Sequence, residues 1–254
     1  MAPSASATQD QSITNNPAQF IGNVTATVGH TGSGVSLSGQ GFVATERNLR
    51  WLSEDFTLAA WVKTTVMGDD VLTRSPALAG NRGEAMDNSI DPSVPKFERR
   101  YDKTGNRFLV VGGLDSAGKI GLSLGTDLST TVKSAQAIND GAWHHVALMR
   151  DMASGQVKVY VDGALSASGS LAPGSLYQRA FSLGRLENPL LSNYWQGGLD
   201  ELRIYNRLLA DAEVLRLYRD QPIDEPPPTP TPTPTTTPPP PSQKKVFLPV
   251  VVKR

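Results

Sequence analysis

The chain is 254 residues long, with 24 Lys+Arg balanced by 24 Asp+Glu, no cysteine and a pI near 6.8. That neutrality lacks the basic excess needed to hold a phosphate backbone, which argues against nucleic acid as a partner. Disulfides cannot staple the fold, and no apolar run approaches the roughly 20 residues that span a bilayer.

The N-terminal residues Met1 to Gln11 are small and polar and have no apolar h-region, although Ala5-Ser6-Ala7 reads as an A-x-A cleavage site. Residues 1–19 are therefore expected to be disordered, with a globular domain over residues 20–221. The domain pattern is one of short β-prone runs between turn signals, with almost no helical period before residue 209. Phe56 to Val62 is apolar nearly throughout, as suits a strand covered on both faces. The stretch from Met67 to Gly105 is polar and rich in turn residues, and reads as an elaborated loop. Phe108–Val111, Ile120–Leu124, Trp143–Leu148 and Phe181–Leu183 are further strand candidates.

Gln156 to Leu165 contains the clearest hairpin, because Asp162-Gly163 supplies the two positive-φ positions of a type I′ turn. Asp151 to Gly155 joins it to the strand carrying Trp143 and His144, giving an antiparallel meander. Leu199 to Tyr205 alternates at period two and leads into Leu209–Arg219, whose Val214, Leu215 and Tyr218 fit one helical stripe. Glu213 stands where a capping-box acid belongs, but Ala210 at the cap cannot accept the reciprocal bond. The elements predict an all-β, two-sheet antiparallel sandwich closed by one short C-terminal helix.

After the domain, residues 222–243 form a linker in which Pro226 to Pro241 is entirely Pro and Thr. Such a stretch favours extended polyproline II and reaches roughly 50 Å at about 3.1 Å per residue. Residues 244–254 are an apolar tail between basic pairs. The tail is suited to pairing with a sheet edge as an added strand, to being read by a sorting apparatus, or to remaining loose with Pro249 and its charges as gatekeepers.

Five segments, in order, resemble the laminin-G-like jellyroll domains of the concanavalin A-like lectin/glucanase group. They are Val35 to Gly39 leading into Gly41-Phe42-Val43; Phe56 to Val62; Asp140 to Ala147; Val159 to Gly163; and Gly198 to Arg207 with Asp211-Ala212-Glu213. The resemblance covers roughly residues 33 to 219. It implies a concanavalin A-like jellyroll, a secreted or cell-surface location, and a binding or adhesion role toward a glycan or an extracellular protein. A structural spacer without a small ligand is the alternative reading.

The group also includes glycoside hydrolases, which place two carboxylates across one bond. Their Glu-x-Asp-x-x-Glu strand signature is absent, and Asp200 and Glu201, as strand neighbours, point to opposite faces. No catalytic residue is assigned. His144 and His145 likewise diverge, with His30 remote, so a three-ligand zinc site is not expected. One of the pair is expected to be packed and hydrogen-bonded, the other to lie on the outer face. The resemblance implies a structural calcium held by Asp200, although Gln40-Gly41 stands where the motif's other acid belongs; otherwise Asp200 is a hydrogen-bonded strand-end acid. For a sugar, an aromatic platform with planar polar groups is needed. Asn193-Tyr194-Trp195 is the best cluster, with Tyr177 and also Arg99, Arg100 and Tyr101 in loop-like stretches. Trp195 alternatively plugs the sandwich, as Trp61 and Trp143 are expected to do.

Overall fold

The computed structural model describes residues 7–8, 18–45, 52, 54–81, 109–125, 131–174, 182–186, 193–223 and 245–246. The first strands are β1 (Ala7–Thr8), β2 (Ala18–Ile21), β3 (Val24–Val28), β4 (Ser33–Leu37), β5 (Phe42–Thr45) and β6 (Phe56–Lys63). A 3-10 turn over Leu72–Arg74 precedes β7 (Ala79–Asn81), β8 (Leu109–Leu114), β9 (Lys119–Leu124), β10 (Thr131–Ala137), β11 (Trp143–Arg150) and β12 (Gln156–Val161). Then follow β13 (Ala164–Ser170), β14 (Ser182–Leu183), β15 (Arg185–Leu186), β16 (Asn193–Tyr194), β17 (Gly197–Tyr205), α1 (Asp211–Tyr218) and β18 (Lys245–Val246).

These strands make two antiparallel sheets. Sheet I runs β1-β2-β5-β14-β7-β8-β9-β10, sheet II runs β13-β12-β11-β6-β17-β4-β3, and β18 lies against the end of β17 with Val246 opposite Ile204. The facing layers enclose one core in which Leu58, Val62, Leu109, Ile120, Leu148, Val159, Leu199 and Ile204 are essentially inaccessible. The β12–β13 hairpin turns where Asp162 and Gly163 adopt φ of 51° and 77°, as the dipeptide predicts.

The β6 strand explains the C-terminal helix. Leu58, Ala60 and Val62 face the core, while Ala59 belongs to a second apolar cluster with Tyr160, Leu209, Val214 and Leu217. A strand apolar on both sides must be covered on both sides, and α1 covers the second. The helix is clamped at its start: Glu213 accepts hydrogen bonds from Ala210 N (2.8 Å) and from both Arg207 Nη atoms (2.8 and 2.6 Å). As the sequence requires, Ala210 returns no side-chain bond; Glu213 N–H donates instead to Ala210 O at 2.9 Å, and Arg207 neutralises the Glu213 carboxylate. Thr57 Oγ1 donates to Arg207 O and accepts from Leu209 N, tying the approach to the helix onto β6.

The structure corrects several expectations. The segment expected to be disordered contributes strands, since Ala7 and Thr8 pair with Gln19 and Ala18. Part of the expected loop after Met67 is core structure: Leu72, Ala77, Leu78 and Ala79 are buried, and β7 lies in the middle of sheet I. Gly80 fits there because a Cβ would meet Leu109 O at 2.7 Å. Trp61 does not plug the sandwich: its neighbours on β6 alternate, and it stacks on His30 on the outer side of sheet II. Trp143 lies across Gly198, where a Cβ would strike its ring at 2.6 Å.

The clamp gives a direct test. Arg207→Ala leaves the buried Glu213 carboxylate without its cation and should destabilise the domain by about 3 kcal/mol in urea unfolding. The double variant Arg207→Leu/Glu213→Leu should recover most of that loss.

Candidate functional site

The outer face of sheet I carries the candidate site, and local register decides who meets whom. Along β5, Val43 points into the core and Phe42 outward, half-buried. Ile21 of β2 lies opposite Phe42 in the ladder and is 38% exposed. After β14 the chain pivots at Gly184, whose φ is 81° and where a Cβ would run into Leu37 at 2.4 Å. Beyond the pivot, β15 and β16 pair as a separate small ribbon with Arg185 opposite Tyr194 and Leu186 opposite Asn193. Leu186 anchors this ribbon by packing with Leu72, Ala77 and Val110 on the outside of sheet I.

Arg185 and Tyr194 are thereby brought beside Phe42. The Arg185 guanidinium carbon lies 3.7 Å from the Phe42 ring centroid, and its Nε donates to Ser182 Oγ at 3.1 Å. The Tyr194 ring is 6.2 Å from that of Phe42 at 42°. Asn193 donates to Thr73 O at 3.2 Å, fastening the ribbon to the 3-10 turn. The patch therefore combines two rings and a planar cation, the chemistry that grips the C–H face and hydroxyls of a sugar.

Of the residues expected to bind ligand, Tyr194 lies in this patch; Asn193 falls on the ribbon side of Leu186, its amide fastened to Thr73 O. Trp195 is fully buried within the sandwich core, its amide held by Gly184 O at 2.8 Å, so its ring offers no face to a ligand. Tyr177, Arg99, Arg100 and Tyr101 lie outside the described residues. Phe42 and Arg185 were not singled out by sequence as ligand contacts. Phe42 stood only within the family-like segment Gly41-Phe42-Val43, with nothing to show which way it faces, whereas Arg185 needs the ribbon's register.

Asp200 has a different job from the one the resemblance implies. It is fully buried, with Oδ2 accepting from Thr31 N at 3.0 Å and Oδ1 from Glu201 N at 2.9 Å. Burial raises its pKa and these amides oppose the rise. A Cβ on Gly29 would sit 2.3 Å from Oδ2, and one on Gly34 would lie 3.3 Å from Asp200 Cβ. Calcium needs six to eight oxygens. Here the carboxylate faces N–H donors in a space closed by two glycines, and no cluster of three acids, His or Cys exists among the described residues. These residues do not fit a calcium ion. Asp200 instead latches β17 to the β3–β4 turn, and Glu201 at φ 48° sits in the bulge that follows, paired with Arg203.

The two histidines part company as expected: His144 is the hydrogen-bonded one and His145 lies on the outer side of sheet II, where it is buried. His144, at the rim, lies between Asp162 (2.9 Å) and Asp140 (3.2 Å); burial opposes its charge, but the two carboxylates prevail and raise its pKa. His145 faces away from the core, edge-on to Trp61 beneath Tyr218, with no partner for Nδ1. Burial, aided by the Arg203 charge, pushes it down to about 4.

The chain belongs to the concanavalin A-like lectin/glucanases superfamily: the Laminin_G_3 family of that superfamily matches residues 37–215. Domain 4 of AbnA, a GH43 extracellular arabinanase from Geobacillus stearothermophilus, is similar in fold, with a TM-score of 0.55 at 22% identity over 85% of this chain and 99% of that one. The binding domain of botulinum neurotoxin DC gives 0.52 at 13% identity, over 85% of this chain and 51% of that chain. In sequence, the Rattus norvegicus protein "Sushi, von Willebrand factor type A, EGF and pentraxin domain-containing protein 1" is 30% identical over 101 residues. That stretch is 36% of this chain but 3% of the much longer rat protein. Among the described residues, no helix is long and apolar enough to cross a membrane.

Two measurements check the site's electrostatics. A histidine whose folded pKa lies below its unfolded value favours the unfolded state once protonated. The stability that depends on neutral His145 is whole above pH 6.5 and is lost as pH falls toward 4, by about 3 kcal/mol in all. His145→Phe should remove that part of the slope in urea titrations across this range. Asp200→Asn should lower stability by about 2 kcal/mol by weakening the latch, while calcium and EGTA should leave the wild-type melting temperature equal.

Proposed function

We propose that the domain is a non-catalytic, extracellular binding module that takes a glycan on the outer face of sheet I, against Tyr194 and Phe42. Arg185 supplies a planar polar group beside the rings. The observation that carries this reading is the half-buried pair of rings 6.2 Å apart, with a guanidinium stacked on one of them. Aromatic faces left partly exposed on a sheet meet the C–H surface of a sugar, and a guanidinium beside them can donate to its hydroxyls. The arabinanase domain of like fold is described in complex with arabinotriose, which makes short arabinose oligomers a rational first ligand.

The placement of carboxylates supports a binding rather than a hydrolytic role. Hydrolysis of a glycoside asks for two acids across one bond, and Asp200 is buried against amides while Glu201 is engaged by Arg203. The Pro/Thr stretch over residues 226–241 suits a domain held away from a surface. The β18 ladder on β17 supports use of the tail as an added strand.

Tyr194→Ala and Phe42→Ala should each weaken glycan binding at least tenfold, a loss of about 1.4 kcal/mol, with the far-ultraviolet spectrum unchanged. A glycan array followed by calorimetry makes the measurement. Binding indifferent to both variants refutes the site, and release of reducing sugar by purified protein refutes the non-catalytic reading.

A further inference from the structure

The two flanks of sheet II are finished differently. On one, β13 is closed against β10 of the other sheet: Ser166 Oγ accepts from Ala135 N at 2.9 Å and donates to Gln136 at 2.7 Å. On the other, β3 is an edge whose outer side pairs with nothing among the described residues. Thr25, Ala26, Thr27 and Val28 are all exposed, Val28 to 82%. Edge strands are ordinarily guarded by a lysine, a proline or a bulge. This one has no charge and no proline, and pairs with β4 without a register shift.

The direction of its backbone groups follows from the pairing. Gly29 N donates to Gly32 O and Ser38 N to Asn23 O, so the odd-numbered residues of β3 bond toward β4. Ala26 and Val28 then turn their N–H and C=O groups outward. Val24 turns out its C=O, its N–H being taken by Gly22 O at 2.9 Å. The strand itself reads Val-Thr-Ala-Thr-Val, the same in either direction.

We propose that β3 is the seam of a homodimer, in which a second copy's β3 pairs antiparallel about a two-fold axis through Ala26. In that register Ala26 faces Ala26, Thr25 faces Thr27 and Val24 faces Val28. The outward groups of Ala26 then form the reciprocal hydrogen-bonded pair that antiparallel geometry requires at such a position, and Val28 N–H reaches the free C=O of Val24. The face carrying Val24, Ala26 and Val28 continues that of Val35 and Leu37, their ladder neighbours in the core. Each exposed Val28 is thus covered by a Val24, and the threonines meet across the other face, a favourable cross-strand pair. A five-residue ladder is short against the roughly 1,000 Å² of a lasting interface, so the dimer is concentration-dependent.

Sedimentation equilibrium of the full chain tests this. The average mass should climb from 27.2 kDa toward twice that value as concentration rises. Ala26→Lys, which sets two like charges face to face, should weaken dimerisation at least tenfold, with thermal melting unchanged; Thr27→Lys should do the same if the first variant folds poorly. Because the chain has no cysteine, Ala26→Cys should be joined to its twin by a short bis-maleimide, while Lys158→Cys on β12 should not. A single-copy mass throughout overturns the proposal, as does a dimer that survives both lysine variants. A dimer abolished by deleting residues 244–254 but not by the lysines assigns the contact to the tail and equally overturns it.

Discussion

The architecture depends on β6, a central strand with no solvent side. Seven of its eight residues are buried, from Phe56 to Val62, and it is held by β11 along its whole length and by β17 across a bulge. One face builds the sandwich core; the other would present Ala59 and Trp61 to water. The burial of that second face is what obliges the chain, on leaving β17, to fold back as α1. The Arg207–Glu213 clamp, the Thr57 tether and the Tyr160 hydroxyl bonded to Asp211 at 2.7 Å all serve this return. Sheet II therefore spends its outer surface on structure, which leaves the outer face of sheet I for the proposed glycan contact.

Much of this was legible in the residues. Asp162-Gly163 signals a hairpin turn, the apolar run of β6 declares a doubly covered strand, and Glu213 marks a helix start whose Ala210 cap lacks the side-chain bond. Other parts were hidden for physical reasons. Ala79-Gly80-Asn81 has neither β-branched nor aromatic side chains, so nothing local marks β7 as a strand; it is selected by the tight backbone approach that Gly80 allows. Alternation reveals a period but not which face is inside. When both faces are apolar, as on β6, a tryptophan such as Trp61 can be assigned to the wrong side.

The site shows the same division. Asn193 and Tyr194 stand next to one another in the chain and advertise a polar–aromatic cluster, yet successive residues alternate: Tyr194 shares the outer side with Arg185, while Asn193 falls on the side of Leu186 and Trp195 is buried in the core. Arg185 and Phe42 join only through a cross-ribbon register and a pivot at Gly184, information spread over more than 150 residues. Asp200 carried the family's motif, but its role is decided by Gly29, Gly34 and the Thr31 amide, which no spacing rule connects to it.

The β15–β16 ribbon has a consequence for how such a domain can change. Its footing is supplied by Leu186 beneath, by the Trp195 amide on Gly184 and by Asn193 on Thr73. The tips at 185 and 194 bear little of that load. New side chains can be tried at those two fingertips while the frame stays as it is, which makes the ribbon a natural place to diversify when directing the domain toward a chosen ligand.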